Sequence, residues 1–245
     1  MLKTTMTVVP ETREVVSGFT YWAWCFIFLP FMVVAFMSGL YDDSVLLSWV
    51  QIGYHIFNMI AALIIFRQHI SDGLFDLSLD YKEFFKTILS CLGIEVVLLL
   101  IACLISLLFP SQLGLYVILN ALPISEFEVF MLPSFVLEHN PIFGSIAMVL
   151  TTPVSISCLI YGTGFAPGCE KHPLRGYLFL LLTLVAHKTF CWFTLLSFEF
   201  AVFTFFVQLP VHISSCIAYQ KTSNILAPMV MISISNLLVS LLWLL

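Results

Sequence analysis

No charged side chain interrupts the chain between Phe19 and Leu40, and none does between Ser44 and Phe66. The pattern continues toward the C-terminus. Pro141–Phe165, Phe200–Tyr219 and Ile225–Leu245 are uncharged, Thr87–Phe109 holds Glu95 alone, and Tyr177–Phe198 holds Lys188 alone. Leu113–Leu137 is comparably long but carries Glu126 and Glu128. A helix rises about 1.5 Å per residue, so each run can cross about 30 Å of hydrocarbon. Barrel strands need short alternating segments, and these runs are continuously apolar. The pattern predicts an all-α fold, a polytopic transmembrane helical bundle of about eight spans. The candidate spans are 19–40, 44–66, 87–109, 113–137, 141–165, 177–198, 200–219 and 225–245, within a single integral membrane domain over 1–245. Pro30, Pro153, Pro210 and Pro228 lie inside these runs, where membrane helices tolerate kinks if neighbours satisfy the freed carbonyls.

Composition narrows the function classes. Only 9% of the residues are charged, against about a quarter in soluble domains. That excludes an ordinary soluble enzyme and a disordered chain. Nine Lys and Arg in a net charge of −5 leave no basic stripe, so nucleic acid is excluded as a partner. The expected partner is the lipid bilayer, and the expected location a cell (plasma) membrane, crossed many times.

Most charges outline connecting segments. Lys3, Glu11, Arg13 and Glu14 lie in the N-terminal tail, Asp42 and Asp43 in a turn, seven charges between Arg67 and Lys86, and Glu170, Lys171 and Arg175 in a Gly/Pro-rich loop. The tail lacks the apolar core of a cleaved signal peptide. Cations before the first run and after the second put the N-terminus and a 67–86 interfacial loop in the cytoplasm. Phe84 and Phe85 beside Lys82 and Lys86 suggest a short helix at the headgroup level there. By the same count Lys171 and Arg175 fall outside, against the positive-inside rule.

The remaining charges, Glu95, Glu126, Glu128, Glu138, Lys188, Glu199 and Lys221, fall in apolar stretches or at their edges. Ionisable groups in a bilayer usually face the bundle interior and mark function. On one helix Glu126 and Glu128 point about 200° apart, so they cannot serve one site together. Lys188 needs a carboxylate partner or a wet cavity, and Glu95, Glu126, Glu128 and Glu199 are candidates. His187–Cys191 and His212–Cys216 repeat an i,i+4 spacing that could bind zinc or copper, although seven cysteines make coincidence easy. The cysteines form no Cys-x-x-Cys pair and read as apolar packing residues without disulfides. His55 and Asn58 read as interhelical hydrogen-bonding residues.

Two segments resemble the CAAX protease and bacteriocin-processing (CPBP, or Abi) intramembrane metalloprotease family. Leu122-Pro-Ile-Ser-Glu-Phe-Glu-Val-Phe-Met131 is similar to its first motif, Pro-x-x-Glu-Glu-x-x-x-Arg. Tyr219-Gln-Lys-Thr-Ser-Asn-Ile-Leu-Ala-Pro228, continuing to Leu238, is similar to its last, a turn followed by a Leu-x-x-Pro helix bearing His-x-x-x-Asn. The resemblance covers about the second half of the chain. It implies an eight-span fold and glutamates and histidines that hold zinc or activate water for peptide cleavage. On that basis Glu126, Glu128, His187 and Asn236 are candidate catalytic residues, and His187 and His212 candidate metal ligands. The pattern is incomplete. Phe127 replaces the second glutamate, Met131 the arginine, and Ile232 the histidine. The middle Phe-x-x-x-His motif has two counterparts, Pro153–Ser157 without a histidine and Thr183–His187 at the wrong spacing.

Three readings follow. The first is a divergent member of this bacterial inner-membrane family, with its protease chemistry lost or altered, in peptide or prenyl-protein processing or bacteriocin self-immunity. The second is an active zinc endopeptidase cleaving a membrane-associated peptide or protein. The third is a small transporter or accessory subunit with a buried Lys188–carboxylate relay.

Overall fold

The computed structural model describes residues 10–23, 44–106, 140–194 and 198–244. Among these residues every regular element is helical. The helices are α1 (Thr12–Ala23), α2 (Ser44–Ile65), α3 (Arg67–Leu79), α4 (Tyr81–Ser106), α5 (Pro141–Ile156), a π-helix (Ser157–Phe165), α6 (Ala166–Lys171), α7 (Pro173–Thr194), α8 (Phe198–Thr222) and α9 (Leu226–Leu244).

Among the described residues the uncharged runs fall on helices, while the candidate span 113–137 and most of 19–40 lie outside the described residues. The charged segment 67–86 is no loop. Its first part folds as α3, and its last residues, Tyr81 to Lys86, are the opening turns of α4 rather than a separate interfacial helix. Asp80 explains the break. Its backbone leaves the helical region at φ −141°, and its side chain accepts the Glu83 N–H at 3.4 Å, which caps α4. Glu83 and Lys86 then pair one turn apart on an exposed face.

From Pro141 to Lys171 the chain is continuously helical, and the π-helix is its middle section. All of the π-helix except Gly164 is buried. Gly162 explains one close approach. A Cβ there would stand 2.7 Å from Cε1 of the Phe66 ring, and a Cβ at Gly18 would stand 2.5 Å from Cζ of the same ring. Phe66, fully buried at the junction of α2 and α3, thus sits in a slot between two glycines of α1 and the π-helix. At the turn into α7, Gly168 and Gly176 let two backbones meet, since a Cβ on Gly168 would lie 2.9 Å from the Gly176 nitrogen.

The α8–α9 connection is built by Ser223, in the left-handed region at φ 53°, and Asn224. The Asn224 amide donates to the Gly73 carbonyl at 2.7 Å, and its oxygen accepts the Leu226 N–H at 2.9 Å. One side chain therefore starts α9 and ties it to α3.

A larger apolar core joins α2, α5, the π-helix, α7, α8 and α9 around Phe66, Tyr161, Phe165 and Ile232. A smaller one, around Phe84, Ile88 and Met231, joins the start of α4 to α8 and α9. Outward-facing stripes are apolar as well. Phe57, Ile60 and Ile64 on α2, Leu89, Val96 and Leu100 on α4, and Ile142, Ile146 and Leu150 on α5 are all exposed. So are Leu174, Leu178 and Leu182 on α7, and Leu237 and Leu241 on α9. Two helical stretches, Tyr81–Ala102 and Pro141–Glu170, are long and apolar enough to cross a membrane.

Candidate functional site

The polar side chains that the outer stripes lack are found inside. Glu95 lies midway along α4 and is 6% exposed. Its Oε2 accepts the Ser214 hydroxyl of α8 at 3.2 Å, and its Oε1 accepts the Ser235 hydroxyl of α9 at 2.5 Å. Each serine hydroxyl also lies near a carbonyl of its own helix, Val211 at 3.0 Å and Met231 at 3.1 Å. A carboxyl from one helix therefore fastens two others, where α4, α8 and α9 pack together. A buried carboxyl needs such donors, because an unpaired one would carry its full desolvation cost.

A second polar contact lies further along the same α8. The Tyr161 hydroxyl, on the π-helix, is 3.0 Å from His212 Nδ1 and 3.3 Å from the His212 carbonyl. Both residues are buried, as are Ser157 and Ser215 on the same two helices. Ser157 is four residues before Tyr161 and Ser215 three after His212, spacings that keep each pair on a common face. The Ser157 hydroxyl lies in the interior without a hydrogen-bonding partner among the described residues, and the Ser215 hydroxyl lies beside Tyr161.

A third group closes one end of the bundle. Tyr219 of α8 meets His69 of α3, with its hydroxyl 3.4 Å from Nε2. Burial pushes the His69 imidazole down to about 4, against a smaller upward pull from Asp72. Behind it, buried Glu14 of α1 accepts the Gln68 and His69 N–H groups.

The residues singled out in the sequence fall unevenly on this framework. Glu126 and Glu128 lie outside the described residues. His187 and Lys188 are on α7, with side chains outside what the structure describes. His212 is buried and engages Tyr161 rather than heading a described His–Cys metal pair. Asn236 is buried on α9, next to Ser235. Ile232 is 1% exposed within the large apolar core, at the position where the resemblance calls for a histidine. It offers no lone pair, and among the described residues no three His, Cys, Asp or Glu side chains converge. A zinc ion needs about three protein ligands, and Glu126, Glu128 and the His187 side chain, which the resemblance assigns to the site, lie outside what the structure describes. His55 and Asn58 are buried on α2, and Asn58 accepts the Tyr21 hydroxyl at 2.7 Å, the interhelical role that its position in an apolar run implied. Cys91, Cys158 and Cys216 are buried free thiols.

Sequence reasoning noted Glu95 as a lone charge in an apolar run but not its serine partners, and it left Glu14 among the tail charges. No family model, curated protein or solved structure matches this chain.

Proposed function

We propose that the chain is a multi-pass protein of the cell membrane, and that it is a small transporter or accessory subunit working through a buried carboxyl. The observation that carries this reading is Glu95, a carboxyl held by hydroxyls from two other helices inside a bundle whose exposed stripes are apolar. Apolar patches recurring on α2, α4, α5, α7 and α9 suit lipid, since a soluble protein rarely exposes so much. Polar groups turned inward, with serines bridging helices, suit packing in a bilayer. An ionisable residue kept inside a membrane bundle marks an ion or proton pathway by default. Lys188 is the second member of such a relay, and its carboxylate partner is to be found by charge pairing.

Reconstitution into liposomes tests this directly. The protein should resist carbonate extraction from membranes and support a proton or ion flux that Glu95→Gln abolishes. Extraction as a soluble protein, or flux unchanged by Glu95→Gln, would sink the reading.

A divergent CPBP-like protein with altered chemistry is the second reading. The Ser223–Ile225 turn and the buried Asn236 of α9 favour it, because they follow the layout of the family's last motif. It is tested by cleavage of a reporter peptide before and after Glu126→Ala, and active cleavage lost in that variant would restore the protease.

A further inference from the structure

We propose that Glu95 is a site that binds and releases a proton, with the hydroxyls of Ser214 and Ser235 rotating to satisfy either state. This deepens the transporter reading by naming the species handled, and it rests on that reading for the membrane setting.

The argument is a count of hydrogens. Each serine hydroxyl has one hydrogen and two acceptors in reach. With Glu95 ionised, both hydrogens turn to the carboxylate, and each oxygen receives one. With Glu95 neutral, the new O–H on Oε1 donates to Ser235 Oγ. The Ser235 hydrogen then rotates to the Met231 carbonyl, while Ser214 still donates to Oε2. The mirror arrangement, through Oε2, Ser214 and the Val211 carbonyl, is equally complete. Neither protonation state leaves one of these atoms unpaired, so adding or removing the proton requires only hydroxyl rotation.

The same carboxylate and hydroxyl oxygens are also donors for a hard cation, so the test below sets a proton against sodium.

The surroundings are sparse in competing groups. α9 contains no ionisable residue. α8 carries Glu199, His212, Cys216, Tyr219 and Lys221. Of these, His212 and Cys216 are close to Ser214 in sequence, and Lys221 acts on Cys91, one turn before Glu95 on α4. Tyr161 of the π-helix lies within the field of Glu95. α3 carries His69, Asp72 and Asp76, separated from Glu95 by the opening turns of α4.

Infrared difference spectroscopy on the reconstituted full chain, with wild type set against Glu95→Gln, tests the proposal. One protonated-carboxyl C=O band should be lost in Glu95→Gln. It should shift down in D2O, give way to carboxylate bands on alkalinisation, and move to higher frequency in Ser235→Ala, whose hydroxyl no longer accepts the proton. Identical spectra for wild type and Glu95→Gln at every pH overturn the proposal. So does a carboxylate that responds to sodium ions and shows no protonated band. Should Glu95→Gln not fold, the Ser235→Ala and Ser214→Ala spectra decide, and an unmoved carboxyl band in both overturns the proposal. A titrating Glu95 band without any flux keeps the site and removes the transporter reading. Flux without such a band does the reverse.

Discussion

The Glu14 carboxylate of α1 accepts the backbone N–H of His69 on α3, at 3.3 Å. The same oxygen accepts the Gln68 N–H at 3.2 Å, and the other oxygen accepts the Glu11 N–H at 3.2 Å. One side chain thus caps its own helix in the manner of a capping box and supplies the cap that α3 lacks. Phe66, at the N-cap position of α3, has no side-chain oxygen to do it. Glu14→Ala should cost about 2–4 kcal/mol, taking roughly 1–2 for each helix end left open. Denaturation in detergent would measure the loss, and amide exchange should speed up most at Gln68 and His69. Glu14→Gln keeps one acceptor oxygen and should lose about half as much.

The Phe66 slot makes a second prediction. Its ring approaches both Gly18 and Gly162 too closely to admit a Cβ at either without shifting. Gly162→Ala should therefore behave as overpacking, at a cost of about 1–3 kcal/mol. Phe66→Leu alone opens a cavity. The double variant should be more stable than the sum of the two single losses, because the smaller side chain makes room for the methyl. Strict additivity of the two would mean that Phe66 can relax out of the slot.

These contacts show what a reader of the sequence can and cannot see. The helices were legible because an uncharged run long enough to cross a bilayer has few other ways to satisfy its backbone. Glu95 was legible as a lone charge in Thr87–Phe109. Ser214 and Ser235 were not, since they lie 119 and 140 residues away and serine is an unremarkable residue in any helix. The π-helix has no local code: Ser157–Phe165 reads as one more apolar run, and the wider turn shows only in the packing of Phe66 and Tyr161. Glu14 looked like a solvated tail charge because its partners are backbone N–H groups, which every sequence has. The 67–86 segment read as a loop because its charges mask a helix that Glu14 and Asn224 hold from outside.

The Tyr161–His212 pair makes a third prediction. Tyr161→Phe removes the hydroxyl and leaves the buried His212 Nδ1 without that partner. The loss should be about 1–3 kcal/mol, the cost of an unsatisfied buried polar atom. His212→Phe should lose less, because the Tyr161 hydroxyl keeps the backbone carbonyl of residue 212 as an acceptor. Because Tyr161→Phe costs stability partly by stranding the imidazole nitrogen, the double variant should lose less than the two combined. Equal and additive losses, measured by denaturant titration, would show that the contact contributes nothing of its own.

His69 makes the last prediction, and its sign follows from burial. Desolvation holds the folded imidazole at about 4, whereas in the unfolded chain it titrates near 6.5. Between those values the unfolded chain binds the extra proton, so protonation pulls the equilibrium toward unfolding. The contribution is complete above about pH 6.5, falls as the pH drops, and is fully lost below about pH 4. Its ceiling is about 3 kcal/mol, since each tenfold change in proton affinity is worth about 1.4 kcal/mol. His69→Phe keeps a ring against Tyr219 and cannot be protonated, so it should flatten the stability profile between about pH 7 and pH 4. The variant should be slightly less stable than wild type at neutral pH, where the Tyr219 hydroxyl has lost its partner at 3.4 Å, and more stable at the acidic end. Parallel profiles for the two proteins would mean that His69 is open to water in solution and that the α1–α3–α8 corner is looser than its hydrogen bonds imply.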